Sequence, residues 1–248
     1  MTFCLGILNK QGIIGLADTR ITSGNDTTTA KKIYTVNRKK HSYFIMTSGL
    51  RSVRDKAITY FGEVISHEDQ KFDKLYKAVN KFGEQVKRVA AEDMNMLEGS
   101  GMHFNLHAIV GGQLEHDKDP KLYLLYPQGN WIEVGVGTPY VIIGNAGFGT
   151  PILKRALTYE TPMDFAMKVA FLSFDATRIS ANDVDYPIDT IHLKRDAFDL
   201  IENRFEGNEL NHISEFWNSS LKTAIEEMPA DALKKAFKKS GDRELSMV

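Results

Sequence analysis

The second residue of the chain, Thr2, carries two groups that could act together in catalysis if it becomes N-terminal. When Met1 is removed, the Thr2 hydroxyl is a potential nucleophile, and the α-amine of the same residue is a potential base for it. An α-amino group titrates near pH ~8, so an appreciable fraction is neutral at cellular pH. A small residue after Met1 is common, however, and Thr2 alone does not distinguish a nucleophile from an ordinary chain start.

Further positions carry residues that such chemistry could use. Asp18 and Arg20 follow a short apolar segment. Lys32 directly precedes the aliphatic residue that opens the next apolar segment. Gly49 ends a third apolar segment, just before a helical pattern begins. Each also has an ordinary interpretation. Asp18 could be a turn residue and Lys31 with Lys32 a solvated pair. Gly49 could serve only a tight turn between strand and helix.

In their order and spacing these four motifs resemble the proteasome β-type subunits, which are N-terminal-nucleophile hydrolases. The motifs are Thr2, an Asp-x-Arg after a strand, a Lys-Ile that opens the next strand and a Ser-Gly before the first helix. The similarity continues through segments 144–147, 151–153 and 172–175 to about Leu193. Within the family, the sequence resembles the bacterial homologue Anbu, because the Met-Thr start leaves no room for the propeptide of most β-subunits.

The resemblance implies a threonine-type endopeptidase that hydrolyses peptide bonds with Thr2 as the nucleophile and with no metal or organic cofactor. Lys32 rather than Lys31 would lie beside Thr2, because the family places this lysine directly before an aliphatic residue. Its charge would lower the pKa of both Thr2 groups. Asp18 would hold Lys32 charged and oriented, and the backbone N–H of Gly49 would point at the developing oxyanion.

The resemblance also implies supporting residues behind these four. Arg20 would brace the loop of Asp18, and Asp175 would help to orient the N-terminus. A substrate pocket of mixed charge maps to Arg20, Thr47, Arg51 and Asp55.

Two positions depart from the family pattern. The family has a serine in a Gly-Ser-Gly-like turn, whereas segment 144–147 reads Gly-Asn-Ala-Gly. A second serine is expected three residues after Asp175, and this position is Arg178. Three functions therefore stay open: a peptidase, a catalytically weak or inactive ring or scaffold protein of the same fold, and an amidohydrolase that acts on a small-molecule amide.

Composition limits the setting in which the protein works. The net charge of −1 gives no reason to expect nucleic acid as a partner. The single cysteine, Cys4, cannot form an intramolecular disulfide and suits a reducing compartment. It is either a small core residue or a neighbour of the site, since it faces the same side of its strand as Thr2. No secretory signal opens the chain and no apolar run approaches about 18 residues, so we expect a cytoplasmic protein without a membrane partner.

Hydrophobic periodicity predicts an α+β protein, a four-layer αββα sandwich of two antiparallel sheets. Thr161 is the predicted N-cap of the fourth helix, with Pro162 as its first residue. We expect one hydrolase domain over 1–248, with a C-terminal helical extension from about 205. The predicted strands are 3–8, 12–17, 33–36, 43–47, 105–110, 122–125, 131–134, 140–143 and 189–193, and the predicted helices are 50–66, 72–94, one from about 150, one after 162 and one over 210–225.

Self-association is the last expectation from the sequence. The helices at 50–66 and 72–94, and the helix with Phe216 and Trp217, carry more large apolar residues than one sandwich face obviously needs. These residues either cover the sheets or join subunits. We expect a homo-oligomer of many subunits, ring-like or open-helical, that acts on peptides or unfolded proteins.

Overall fold

The computed structural model of the protein describes residues 2–23, 26–68, 72–231, 233 and 236. The chain divides into two compact units, one up to Gly207 and one from Asn208. The strands in the described residues are β1 (Phe3–Asn9), β2 (Gly12–Asp18), β3 (Arg20–Ser23), β4 (Asp26–Thr29), β5 (Ile33–Arg38), β6 (His41–Gly49), β7 (Leu106–Leu114), β8 (Lys121–Leu125), β9 (Trp131–Glu133), β10 (Tyr140–Gly144), β11 (Ile188–Lys194) and β12 (Leu200–Phe205). The helices are α1 (Arg51–Glu68), α2 (Leu75–Gly99), α3 (Thr150–Ala156), α4 (Met163–Arg178) and α5 (Gly207–Glu226).

Ten of these strands form two five-stranded sheets. The first has the order β10-β1-β2-β11-β12 and the second the order β5-β6-β7-β8-β9, while β3 and β4 form a separate two-stranded ribbon. All neighbouring strands are antiparallel. In the first sheet Cys4 lies opposite Ala17, which places the start of β1 beside the end of β2.

The two sheets pack face to face between two layers of helices. Alternate residues of β1, β2 and β6 meet Ile109 of β7 in one buried cluster between the sheets, and Cys4 is part of it. Helices α1 and α2 cover the outer face of the second sheet, where the rings of Phe61 and Phe82 lie 5.3 Å apart. Helix α4 covers β1 and β2, and the rings of Phe3 and Phe174 lie 6.1 Å apart. The predicted α+β sandwich of four layers is confirmed.

The structure corrects the predicted elements at several points. Strands β3, β4 and β12 were not predicted, and α2 continues past 94 to Gly99. The predicted N-cap Thr161 is wrong, because Pro162 occupies that position with an extended backbone and the helix starts at Met163. The Thr161 hydroxyl instead accepts a hydrogen bond from the N–H of Thr158 at 2.9 Å, within the preceding turn. No helix in the described part of the chain is long and apolar enough to cross a membrane.

Candidate active site

A buried ion pair lies directly against the start of β1. The backbone N–H of Phe3 donates a hydrogen bond to Asp18 Oδ1 at 2.7 Å, and the Lys32 ammonium donates to the same oxygen at 2.8 Å. The Asp18 side chain is fully buried and that of Lys32 is 3% exposed. Such a pair is maintained in an apolar interior only when its charges and hydrogen bonds are matched. Its carboxylate is therefore fixed to the residue that follows Thr2.

The Lys32 ammonium has a second acceptor, the backbone carbonyl of Arg20, at 2.7 Å. The Lys32 backbone is held as well, because its carbonyl accepts the N–H of Thr47 on β6 at 3.3 Å. Lys31 points elsewhere, is half-exposed and pairs with Glu202. Of the two adjacent lysines, Lys32 is thus the one that contacts Asp18.

Two opposing effects act on the Asp18 carboxyl. Burial raises the pKa of Asp18 above its ordinary value, while the Lys32 ammonium and the Phe3 N–H counteract that rise. The second oxygen, Oδ2, is buried and makes no hydrogen bond to any described residue. The Asp18 charge consequently depends on Lys32, and loss of the lysine would leave an uncompensated carboxylate.

Thr2 is held through its backbone at the position where the family turn differs. It is 9% exposed, and its carbonyl accepts the N–H of Asn145 at 2.7 Å. Gly144 has φ +87°, and a Cβ there would lie 1.8 Å from the Thr2 carbonyl oxygen. Only glycine fits this position without moving Thr2. The segment that lacks the family serine therefore still contacts Thr2 through its main chain.

Gly49 lies at the junction between β6 and α1, on the strand that pairs with β7. Its φ is +144°, and a Cβ there would lie 2.0 Å from the carbonyl oxygen of Asn105. The N–H of Leu50 donates to that same oxygen at 3.0 Å. The local backbone thus requires glycine for steric reasons alone, whether or not its N–H meets a substrate.

Asp175 belongs to a different ion pair from Asp18. It is buried on α4 and accepts a hydrogen bond from Arg178 Nη2 at 2.8 Å. The residue that replaces the second family serine therefore binds Asp175 directly. The guanidinium of Arg178 also lies over the ring of Tyr186, 5.2 Å from its centroid.

A small cavity of about 130 Å³ opens beside Lys32. Of the predicted pocket positions, Thr47 and Asp55 line it, whereas Arg20 and Arg51 do not. Arg54 also lines it and was not predicted; its largely buried guanidinium donates to Asp55 Oδ1 at 2.6 and 2.8 Å. Helical phase after Gly49 was the only sequence signal for Arg54. Two larger surface cavities, of about 490 and 480 Å³, contain none of the predicted site residues.

Cys4 is a core residue. It is fully buried, and its thiol donates a weak hydrogen bond to the Thr47 carbonyl at 3.8 Å. Burial raises the pKa of Cys4, so the thiol stays neutral. In the described residues, no group of three or more His, Cys, Asp or Glu side chains could hold a metal ion.

Two antiparallel sheets between helical layers, with the N-terminal strand inside one sheet between β10 and β2, are the fold of the N-terminal-nucleophile hydrolases. Within that class, the model of the proteasome subunit family matches residues 2–177, and the chain belongs to this family.

Similar solved structures include Anbu proteins, as the sequence predicted. Anbu from Hyphomicrobium sp. strain MC1 is 26% identical, with 92% of this chain and 98% of that chain covered and a TM-score of 0.83. Anbu, the ancestral beta-subunit, from Yersinia bercovieri is 25% identical, with 92% and 97% covered and a TM-score of 0.84. The helical assembly of the Anbu complex from Pseudomonas aeruginosa is 26% identical, with 92% and 97% covered and a TM-score of 0.84. No curated protein sequence matches the chain.

Proposed function

We propose that this protein is a proteasome-type threonine endopeptidase in which Thr2, exposed by removal of Met1, is the nucleophile. The observation that carries the proposal is the buried pair of Asp18 and Lys32, bound to the N–H that follows Thr2. Replacement of a buried ion pair by apolar residues is often neutral or stabilising. A contribution to stability therefore does not explain why the protein has this buried pair. Activation of the neighbouring Thr2 does explain it.

In the proposed mechanism, Thr2 Oγ1 attacks the carbonyl carbon of a peptide bond, and its proton passes to the α-amine, directly or through a water molecule. The Lys32 ammonium favours the less positive form of both groups. The Gly49 N–H donates to the developing oxyanion, a contact of the kind whose loss costs about 3 kcal/mol. The amine returns the proton to the leaving nitrogen, and water then hydrolyses the ester on Thr2.

The cavity beside Lys32 is the proposed site for one substrate side chain. Arg54 contributes a positive charge, and the carboxylate of Asp55 is already paired with Arg54 and Arg51. Lys31 and Lys32 also line the cavity, so its lining carries three cationic side chains and one carboxylate. We infer that a short acidic or polar side chain binds there better than Lys or Arg, since about 130 Å³ leaves little room for a long one.

A catalytically inactive ring or scaffold subunit is the second candidate. One observation favours it: Arg178 stands where the family has a serine and binds Asp175 at 2.8 Å. Asp175 was the residue predicted to orient the Thr2 amine. A carboxylate engaged by an arginine is a weaker acceptor for that amine.

We further propose that the protein self-associates into a ring or an open helical assembly that confines Thr2, with peptides or unfolded proteins as substrates. Family membership and the helical assembly of the Pseudomonas aeruginosa Anbu complex support this. The unpaired Cys4 suits the reducing cytoplasm, where we place the protein. We expect neither nucleic acid nor a membrane as a partner.

Intact mass and peptide hydrolysis together test the proposal. Protein without Met1 should hydrolyse some members of a fluorogenic peptide library, and protein that retains Met1 should hydrolyse none, because its threonine has no α-amine. Treatment of the retained form with methionine aminopeptidase should then create activity. Met-free protein that cleaves no peptide would contradict the proposal and support the scaffold function.

A further inference from the structure

The turn that follows β2 is held by a loop outside all the sequence motifs, the segment 179–187 between α4 and β11. The N–H and the hydroxyl of Thr19 both donate to the carbonyl of Pro187, at 3.0 and 2.7 Å. Arg20 Nη1 donates to Asp185 Oδ2 at 2.9 Å. One of these hydrogen bonds holds the main chain at Thr19 to this loop, and the other two hold the side chains of Thr19 and Arg20 to it.

This turn carries one of the two acceptors of the Lys32 ammonium. The Arg20 carbonyl accepts from Lys32 Nζ at 2.7 Å, and Asp18 Oδ1 accepts at 2.8 Å. A movement of the Arg20 backbone would leave the ammonium with Asp18 alone. Its position relative to Thr2 would then be set by one hydrogen bond instead of two.

The same C-terminal part of the loop is also held by Arg178, the last residue of α4. Arg178 binds Asp175 and lies over the ring of Tyr186, whose N–H donates to Asp185 Oδ1 at 2.9 Å. Asp185 therefore uses one carboxylate oxygen within the loop and the other for Arg20. Val184, the residue before it, is 1% exposed and packs the loop into the protein.

We propose that Asp185 is a positioning residue: through Arg20 it fixes the carbonyl that orients the Lys32 ammonium. The reaction it serves is the proposed peptide hydrolysis, so the inference rests on that proposed function. In the described residues, Asp185 is the only carboxylate paired with Arg20, whose Nε is buried without a hydrogen-bond partner.

We expect loss of the Asp185 carboxylate to change the position of the Lys32 ammonium more than the stability of the fold. The side chains of Arg20 and Asp185 are 28% and 39% exposed, and partly exposed ion pairs contribute little to stability. A matched comparison exists on β11, where Asp189 accepts two hydrogen bonds from Arg204 at 2.7 and 2.9 Å. Asp189 is more buried than Asp185, so a purely structural role would make Asp189 the more sensitive position.

The first test compares Asp185→Asn, Asp185→Glu and Asp189→Asn in Met-free enzyme. Asp185→Asn should lower kcat about 10-fold with KM nearly unchanged, because a small displacement of a catalytic group lowers the rate. Asp185→Glu should recover part of that loss. Asp189→Asn should keep the wild-type kcat, although it lowers the melting temperature at least as much.

The second readout does not require turnover. In an experimental structure of Asp185→Asn, the distance from Lys32 Nζ to the Arg20 carbonyl oxygen, 2.7 Å here, should exceed about 3.5 Å, beyond hydrogen-bond range. An unchanged distance overturns the positioning role whatever the activity, and so does a longer distance with an unchanged kcat. A longer distance in a protein whose wild type cleaves no peptide keeps the structural inference and overturns the proposed function.

Discussion

At the scale of single residues, the proposed catalysis depends on the charges of Asp18 and Lys32, each of which is stabilised by the other. Asp18 has one oxygen that binds Lys32 and one buried oxygen without a described partner. Lys32 has two acceptors, and one of them is Asp18. Apart from one main-chain hydrogen bond each, from the Phe3 N–H and to the Arg20 carbonyl, each charge is balanced only by the other, so we treat them as one functional unit.

The unit predicts non-additive kinetics. Asp18→Ala and Lys32→Ala should each lower kcat/KM about as much as the double variant, because either change removes the oriented ammonium. Each single change also costs about 3–5 kcal/mol of stability, since it leaves a buried charge unpaired. Peptide hydrolysis is therefore measured well below each melting temperature. Losses that add in log kcat/KM would show that the two residues act separately.

The contact between Gly144 and Thr2 gives a second prediction. Gly144→Ala should abolish peptide hydrolysis, because its Cβ would lie 1.8 Å from the Thr2 carbonyl oxygen and must displace the nucleophile. Gly147→Ala is the control, since a Cβ at Gly147 meets nothing within 4 Å. The measurement is the steady-state rate of peptide hydrolysis by both variants, each without Met1. Equal activity of Gly144→Ala and Gly147→Ala would contradict the claim that hydrolysis depends on the position of Thr2.

Motif spacing could predict some of these residues and not others. Asp18 ends one short strand and Lys32 directly precedes another, and the structure places Lys32 Nζ 2.8 Å from Asp18 Oδ1, although their catalytic role stays a prediction. Asp185 and Arg54 belong to no motif. Asp185 is 165 residues from its partner Arg20, and a pairing at that separation depends on the tertiary fold alone.

At the scale of elements, the predicted helices and strands were those with a buried apolar period. Helix α2 buries residues from Leu75 to Val89 at helical spacing. Strand β4 reads Asp-Thr-Thr-Thr and is exposed throughout, and β12 is an edge strand with four consecutive exposed residues. Neither has the alternation by which a strand is recognised, so only pairing with a neighbour defines them.

Packing of α1 and α2 on the second sheet should supply much of the stability. Phe82 is fully buried against Phe61, and Phe82→Ala should lower the free energy of unfolding by about 3–5 kcal/mol through lost burial and a cavity. Met96, on the same helix, is 80% exposed, and Met96→Ala should change it by less than about 0.5 kcal/mol. Chemical denaturation measures both. Similar losses would mean that the observed helix face is not the buried one.

At the scale of the whole molecule, family membership covers residues 2–177, and the chain continues well beyond this range. The domain boundary near 205 stays a prediction, although the chain separates into compact units at Gly207. Large apolar side chains are exposed on the first unit: Phe148, Phe165 and Ile179 are 47%, 48% and 68% exposed.

Assembly is the prediction at this scale. Light scattering at micromolar concentration should give a mass many times the 27.9 kDa of one chain. If the ring or helix forms through surfaces away from Thr2, protein with and without Met1 should assemble to the same mass. This comparison separates assembly from catalysis. A uniform monomer of 27.9 kDa would contradict both a self-compartmentalised peptidase and a ring scaffold.

The most direct test of the central claim is peptide hydrolysis by Met-free Thr2→Ala and Thr2→Ser, with Met1 removal confirmed by intact mass in each. Thr2→Ala should lose activity by a factor on the order of 10³ or more, because the nucleophile is gone. Thr2→Ser should retain measurable turnover, since a hydroxyl and a terminal amine both remain. Undiminished hydrolysis by Thr2→Ala would contradict the claim that Thr2 is the nucleophile.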